Sequence, residues 1–285
     1  MSADVHTVAV DPSTRFAFGA NWSRFLLDLT DERIERAASS LTDMLQRDSL
    51  KGVTFLDIGS GSGLFSLAAR RLGATVRSFD YDPLSVKCTA ELRRRYFPDD
   101  SSWTIERGSA LDCSYMASIG QFDIVYSWGV LHHTGAMWLG IFNAMDCVRP
   151  GGSLYIAIYN DQGCWSRVWW IIKYVYAKMP APLQRPYAYV VWYAILLLNV
   201  LKYTILLQPM VALRPLIDRR PPRRGMSQKH DIVDWMGGMP FEFARYDVLL
   251  AFFRSRGFEL LKGVPNGGLG CHELVLTKAG SVGDT

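Results

Sequence analysis

Three places in this sequence combine residue types and spacing that could do chemistry. The first is Asp57-Ile58-Gly59-Ser60-Gly61-Ser62-Gly63, followed by a second acidic group in Phe79-Asp80-Tyr81-Asp82-Pro83. A strand running into a glycine-rich turn and then a helix presents backbone N–H groups to a polar ligand, and glycine lets the backbone approach closely. The order is G-x-G-x-G, and Leu64 stands where the dinucleotide fingerprint G-x-G-x-x-G needs its last glycine. Asp57 ahead of the loop would repel a pyrophosphate but tolerate a cationic sulfonium amino acid. Asp80 can accept from both hydroxyls of a ribose, while Asp82 and Pro83 suit the cap and first turn of the next helix. Taken alone, the loop could also be only a tight turn.

The second place is His132-His133, at the end of Ser127-Trp128-Gly129-Val130-Leu131-His132-His133-Thr134-Gly135. Histidine titrates close to neutral pH, and a base is required when an acceptor must lose a proton, as a hydroxyl does. The alternative is that one of the pair packs or caps a helix. Adjacent residues rarely reach the same ion and no carboxylate partner is evident, so no metal site is expected. The third place is Lys229 to Gly238, where His230 and Asp234 lie one helical turn apart and Trp235 follows. With Glu242 beyond it, this segment either lines an acceptor pocket or caps a short helix.

The elements that must position these groups alternate. Apolar runs predict strands at 53–58, 75–79, 103–106, 122–128 and 153–159, with helices at 64–72, 83–96 and 137–148 between them. A helix at 245–255 and strands at 258–264 and 271–277 follow, the last two joined by a Gly-rich turn and therefore antiparallel. The fold class is α/β: a Rossmann-like, seven-stranded, mostly parallel sheet with helices on both faces, an antiparallel last strand and a hydrophobic helical insertion after the fifth strand. Ligands of such sheets bind at the carboxyl edge, where both the glycine loop and the histidine pair fall.

In combination, Asp57 to Gly63 resembles the first motif of class I S-adenosylmethionine methyltransferases, and Phe79 to Pro83 resembles their second. Gly108-Ser109-Ala110-Leu111-Asp112 resembles the loop bordering the adenine, Phe122 to Ser127 the fourth-strand motif, and Arg149-Pro150-Gly151-Gly152 the turn before the fifth strand. The resemblance covers about residues 50–160 and the C-terminal hairpin. It implies S-adenosyl-L-methionine as cofactor, held by Asp57, Gly59, Ser60, Gly61, Gly63, Asp80, Tyr81, Ser109, Ala110 and Ser127. Ser109 stands where the family most often has Asp, so its hydroxyl or Asp112 would meet the adenine amine. Phe16 to Trp22 is similar to an aromatic lead-in that folds over the cofactor in some small-molecule methyltransferases, which adds Trp22.

Residues 160–225 break the alternation. Trp165 to Tyr176 is an aromatic-rich helical length, Pro180, Pro182 and Pro186 punctuate the chain, and Tyr187 to Leu207 is long and apolar enough for a membrane span. A single crossing would separate the final helix and hairpin from their own sheet. Two readings stand: a helical cap over an apolar acceptor pocket, or an element dipping into one leaflet through residues 186–224, whose arginines (Arg214, Arg219, Arg220, Arg223, Arg224) suit lipid headgroups or an acceptor phosphate. The expected organisation is a lead-in over 1–50, a core of 51–160 and 240–280, and the insertion over 161–239.

Composition narrows the classes. The net charge of +4 is too mild to argue for nucleic acid, and no N/D-P-P-Y-type motif follows the fourth strand. Five well-separated cysteines without a C-x-x-C pair argue against a disulfide framework and a structural zinc site, and the first residues lack the basic and apolar runs of a signal peptide. The expectation is a cytoplasmic enzyme, peripheral at the membrane if the insertion dips into it. It would transfer a methyl group to a small, largely hydrophobic or lipid-linked acceptor, at oxygen with His132 or His133 as base. Carbon or nitrogen transfer to a natural product, RNA methylation, and a non-catalytic cofactor-binding scaffold are the competing readings. The core is similar to methyltransferases of quinone biosynthesis.

Overall fold

The computed structural model describes residues 18–206 and 236–280. Seven strands form one sheet in the order β3-β2-β1-β4-β5-β7-β6. They are β1 (Thr54–Ile58), β2 (Thr75–Asp80), β3 (Trp103–Arg107), β4 (Phe122–Trp128), β5 (Val148–Tyr159), β6 (Phe258–Val264) and β7 (Cys271–Lys278). β1 to β5 are parallel, and β7 runs antiparallel between β5 and β6.

Successive side chains of a strand point to opposite faces, so a strand covered on both sides is apolar on both, apart from polar groups such as Asp57 that find buried partners. In β1, Leu56 and Ile58 join one buried cluster, with Val125, Ile141, Ile156 and Leu274. Phe55 joins the other, with Leu41, Leu67, Trp103, Tyr126 and Tyr155. Helices cover both faces: α1 (Phe18–Phe25), α2 (Asp31–Leu45), α3 (Leu64–Arg71), α4 (Pro83–Tyr96), α5 (Cys113–Ser118), α6 (Met137–Asp146) and, after the insertion, α9 (Tyr246–Arg254). Each fully buried Leu, Ile or Phe contributes roughly 1.5–3 kcal/mol relative to exposure.

The caps follow the sequence at α4, where the Asp82 carboxylate accepts from the Leu84 N–H at 2.8 Å and Pro83 opens the helix. At α2, Thr30 takes the N-cap position with extended backbone but makes no side-chain cap bond. The insertion contains α7 (Cys164–Lys178) and α8 (Ala181–Ile205). Pro180 and Pro182 punctuate the turn as expected, but Pro186 lies inside α8. It falls in the second turn, where the one lost backbone bond would have gone to Pro182 at the exposed start of the helix. A third apolar cluster joins Trp169, Tyr176 and Ala188 of this pair to Met236, Met239 and Phe241 of the returning chain.

Candidate active site

The glycine loop leaves β1 with positive φ at Gly59 (+74°) and Gly61 (+56°). A side chain at Gly59 would lie 2.4 Å from Val130 Cγ1, and one at Gly61 would lie 2.9 Å from the Trp22 indole nitrogen. The loop therefore touches both the segment before the histidine pair and the N-terminal helix. Asp80 holds it in place: one carboxylate oxygen accepts from the Gly61 N–H at 2.9 Å, the other from the Asp82 N–H at 2.9 Å. Helix α1 is tied to the same corner, because the Gly19 N–H donates to Asp82 at 2.9 Å. Gly59, Gly61, Gly63, Asp80 and Trp22 thus meet at one end of the sheet.

Other candidates serve the frame around this corner. Ser60 pairs its hydroxyl with Thr89 of α4 at 2.9 Å. Ser127 is buried and donates to the Ile58 carbonyl at 3.4 Å, joining β4 to β1. Tyr81 is exposed and lies under the Arg107 guanidinium. The Ser109 hydroxyl accepts from the Leu111 N–H at 3.2 Å, and Asp112 caps α5 by accepting from Tyr115 at 3.0 Å. Asn143 of α6 fixes this loop by donating to the Ala110 carbonyl at 2.8 Å, a contact no sequence motif marks.

Asp57 lies beneath the loop, in a buried polar chain. Ser66 of α3 donates to its carboxylate and also pairs with Ser78, which accepts from the Trp103 indole at 2.9 Å. Burial pushes its pKa up to about 7, against the opposing bond from Ser66.

The two histidines occupy a short 3₁₀ turn (Leu131–His133) just past β4 and are both buried. Their hydrogen bonds set opposite tautomers. The Tyr159 N–H donates to His132 Nδ1 at 3.3 Å, which leaves the proton of the neutral ring on Nε2. His133 Nδ1 faces the Pro240 carbonyl at 2.7 Å, and since a carbonyl can only accept, Nδ1 carries the proton and Nε2 is the basic nitrogen. Burial, then the neighbouring His133 and Lys173, hold the His132 pKa well below the ordinary histidine range. The His132 ring lies tilted against Tyr159, with centroids 3.8 Å apart.

Two further groups belong to this neighbourhood. Lys173 of α7 is completely buried, its ammonium 5.6 Å from the Tyr159 ring centre and 4.8 Å from that of Phe241. The sequence carries a trace of it: a lysine spaced four residues from Trp169 and three from Tyr176 shares their helix face. Glu242 is the other. Its carboxylate accepts from the Gly135 N–H at 2.8 Å and the Met137 N–H at 3.1 Å, capping α6 from the returning chain. Its own N–H donates to the His132 carbonyl at 2.9 Å. Among the residues proposed to line an acceptor pocket, Glu242 is therefore placed as a clasp on the histidine turn, while His230, Asp234 and Trp235 lie outside the described residues.

Residues 56–156 match the family described as "Methyltransferase domain". The chain carries a class I S-adenosylmethionine-dependent methyltransferase domain. Over 120 residues it is 33% identical to a ubiquinone biosynthesis O-methyltransferase of a Methylobacterium species, covering 41% of this chain and 45% of that protein. Over 166 residues it is 29% identical to a tRNA U34 carboxymethyltransferase of Methylococcus capsulatus, covering 58% and 44% respectively. The chain thus spans somewhat under half the length of these curated relatives. A solved magnesium protoporphyrin IX methyltransferase from Synechocystis PCC 6803, with bound S-adenosylmethionine, superposes with a TM-score of 0.55 at 11% identity, over 95% of this chain and all of that one. That likeness is one of fold.

Proposed function

We propose that this chain binds S-adenosyl-L-methionine across the glycine loop and transfers its methyl group to an oxygen of a small, largely apolar acceptor, with His133 as general base. The cofactor supplies a methyl carbon already activated by positive sulfur, so the protein's task is alignment, exclusion of water and removal of one proton. The Asp80 carboxylate, fixed against Gly61, would take the ribose hydroxyls, and Trp22 would close over the loop. His133 Nε2 would accept the acceptor's hydroxyl proton as its oxygen bonds to the methyl carbon and the carbon–sulfur bond breaks.

The observation that carries the choice of base is the 2.7 Å contact from His133 Nδ1 to the Pro240 carbonyl, which aims the ring and keeps its lone pair on Nε2. His132, with its proton on Nε2 and its pKa depressed, suits a neutral donor and spacer. The apolar nature of the acceptor is supported by Tyr159, whose ring meets both histidines and Phe241, and by the cluster that Phe241 forms with Met236 and Met239. Five free cysteines, two of them buried, suit a reducing cytoplasm.

The test is incubation with methyl-labelled cofactor and two acceptor pools, a total lipid-soluble extract and total RNA. Label in the lipid-soluble pool, released by reagents that cleave methyl ethers or esters, supports the reading. Label confined to RNA would sink it.

A further inference from the structure

Helices α7 and α8 form a hairpin whose inner faces follow helical spacing. Ser166, Trp169, Lys173 and Tyr176 of α7 are buried, and Tyr187, Ala188, Val191 and Ile195 of α8 pack toward them. The outer faces are apolar too. Trp165, Val168, Ile171 and Val175 are exposed on α7; Val190, Tyr193, Leu197 and Leu201 are exposed on α8. Leu197 is 68% exposed and Ile205 is 73% exposed. Among the described residues α8 is the one helix long and apolar enough to cross a membrane, yet almost none of it is buried in the protein. Water-facing apolar stripes of this extent mark an interaction surface.

Charge says what covers it. Between Asp161 and Asp218 the sequence has no acidic residue but carries Arg167, Lys173, Lys178, Arg185, Lys202 and Arg214. Lys173 is buried, whereas Arg167, Lys178, Arg185 and Lys202 are exposed on the hairpin. A second copy of this surface would set these like charges against one another. Anionic phospholipid matches them, and the exposed Trp165, Trp170, Tyr174, Tyr189 and Trp192 are the side chains that favour the headgroup level. A single crossing by α8 is excluded by topology, because β6 and β7 after the insertion belong to the same sheet as β1 to β5 before it.

We infer that the α7–α8 hairpin lies in one leaflet of an anionic membrane, with α8 along the interface and the sheet on the aqueous side. Helix α7 holds Lys173 against Tyr159, whose ring lies tilted against His132, so the membrane-facing element is also a wall of the candidate site. An acceptor dissolved in the bilayer would reach that wall without crossing water. This last step rests on the proposed function; membrane docking does not.

The test is flotation of the purified full chain with phosphatidylcholine vesicles and with vesicles containing phosphatidylglycerol. Binding to the anionic vesicles is expected, weakened about fivefold for each exposed basic residue changed to Gln among Arg167, Lys178 and Arg185. The double variant Leu197→Glu, Leu201→Glu should lose flotation while keeping cofactor affinity in calorimetry, since both side chains are exposed. Three results would overturn the inference: a wild-type chain that floats with neither vesicle, equal binding to both vesicle types, or a dimer in sedimentation that the double variant disperses. Because cofactor affinity is read separately, a failure of docking is distinguishable from a failure of the methyltransferase reading.

Discussion

The sheet and the α7–α8 hairpin use the same apolar residue types and place them oppositely. Leu56 at the centre of β1 has no exposed surface, while Leu197 on α8 is 68% exposed. A strand between two helical layers has no solvent face, so its whole composition serves burial. The helical hairpin has one buried stripe, and its remaining apolar side chains are exposed among the described residues. One region is apolar because the fold requires it; the other carries apolar side chains that the described residues leave exposed.

The most direct way to break this contrast is to make one substitution in both places. Leu56→Ala should cost about 2–5 kcal/mol in chemical denaturation, through lost burial and a residual cavity. Leu197→Ala should change stability by less than about 0.5 kcal/mol, as ordinary surface substitutions do. A cost above about 1 kcal/mol at Leu197 would mean that its face is covered within the folded protein, and the contrast would collapse.

The core also buries a titratable group. With its folded pKa raised to about 7 by burial, Asp57 keeps a proton that the unfolded chain releases near pH 4. The folded state then binds more protons between those values, so stability falls as pH rises through that window and the full cost is in place above it. Asp57→Asn removes the titration. The stability of the wild type relative to this variant should decline between pH 4 and 8 by about 2–4 kcal/mol. A constant difference would show that Asp57 ionises in the fold as freely as in the unfolded chain.

At the junction of the two regions, His133→Asn keeps a donor to the Pro240 carbonyl but removes Nε2. Turnover should drop about a hundredfold with cofactor affinity unchanged, and the deficit should shrink at high pH, where a phenolic or similar acceptor ionises unaided. His132→Gln should have a smaller effect and no such pH rescue. If the two variants exchange these behaviours, the tautomer assignment is reversed.

The core was legible because its signals are local. Strand 122–128 is read off an apolar run and coincides with β4, and Asp82-Pro83 announces the start of α4 through a cap that needs no distant partner. Glycines at 59, 61 and 63 and the acid at 80 likewise lie on consecutive elements of one βαβ unit. The insertion was legible only in composition. Pro186 reads as a break, yet α8 continues through it because only one bond at an exposed end is lost. Lys173 reads as one of several lysines until helix spacing puts it on the Trp169 face. Glu242 reads as a pocket residue because its true partners, the Gly135 and Met137 amides, lie more than a hundred positions earlier. No pattern along the chain announces a helix cap delivered from another segment.

Glu242 also supplies the finest test of how the two regions meet. Its carboxylate and backbone, with the Pro240 carbonyl, grip the turn from His132 to Met137 at four points, so the returning chain shapes the base's position without touching a reactant. Burial raises its carboxyl pKa against the two amide bonds, which leaves the clasp's net contribution small. Glu242→Gln retains one acceptor oxygen and sets an NH₂ group against the remaining amide; the cost should be about 1 kcal/mol. The sharper readout is amide hydrogen exchange. Gly135 and Met137 should exchange faster in the variant while the amides of β4 keep their protection, because only the turn is released. Uniformly faster exchange across β4 would mean that Glu242 supports the sheet itself, and that the boundary between core and insertion lies before residue 242 rather than at the clasp.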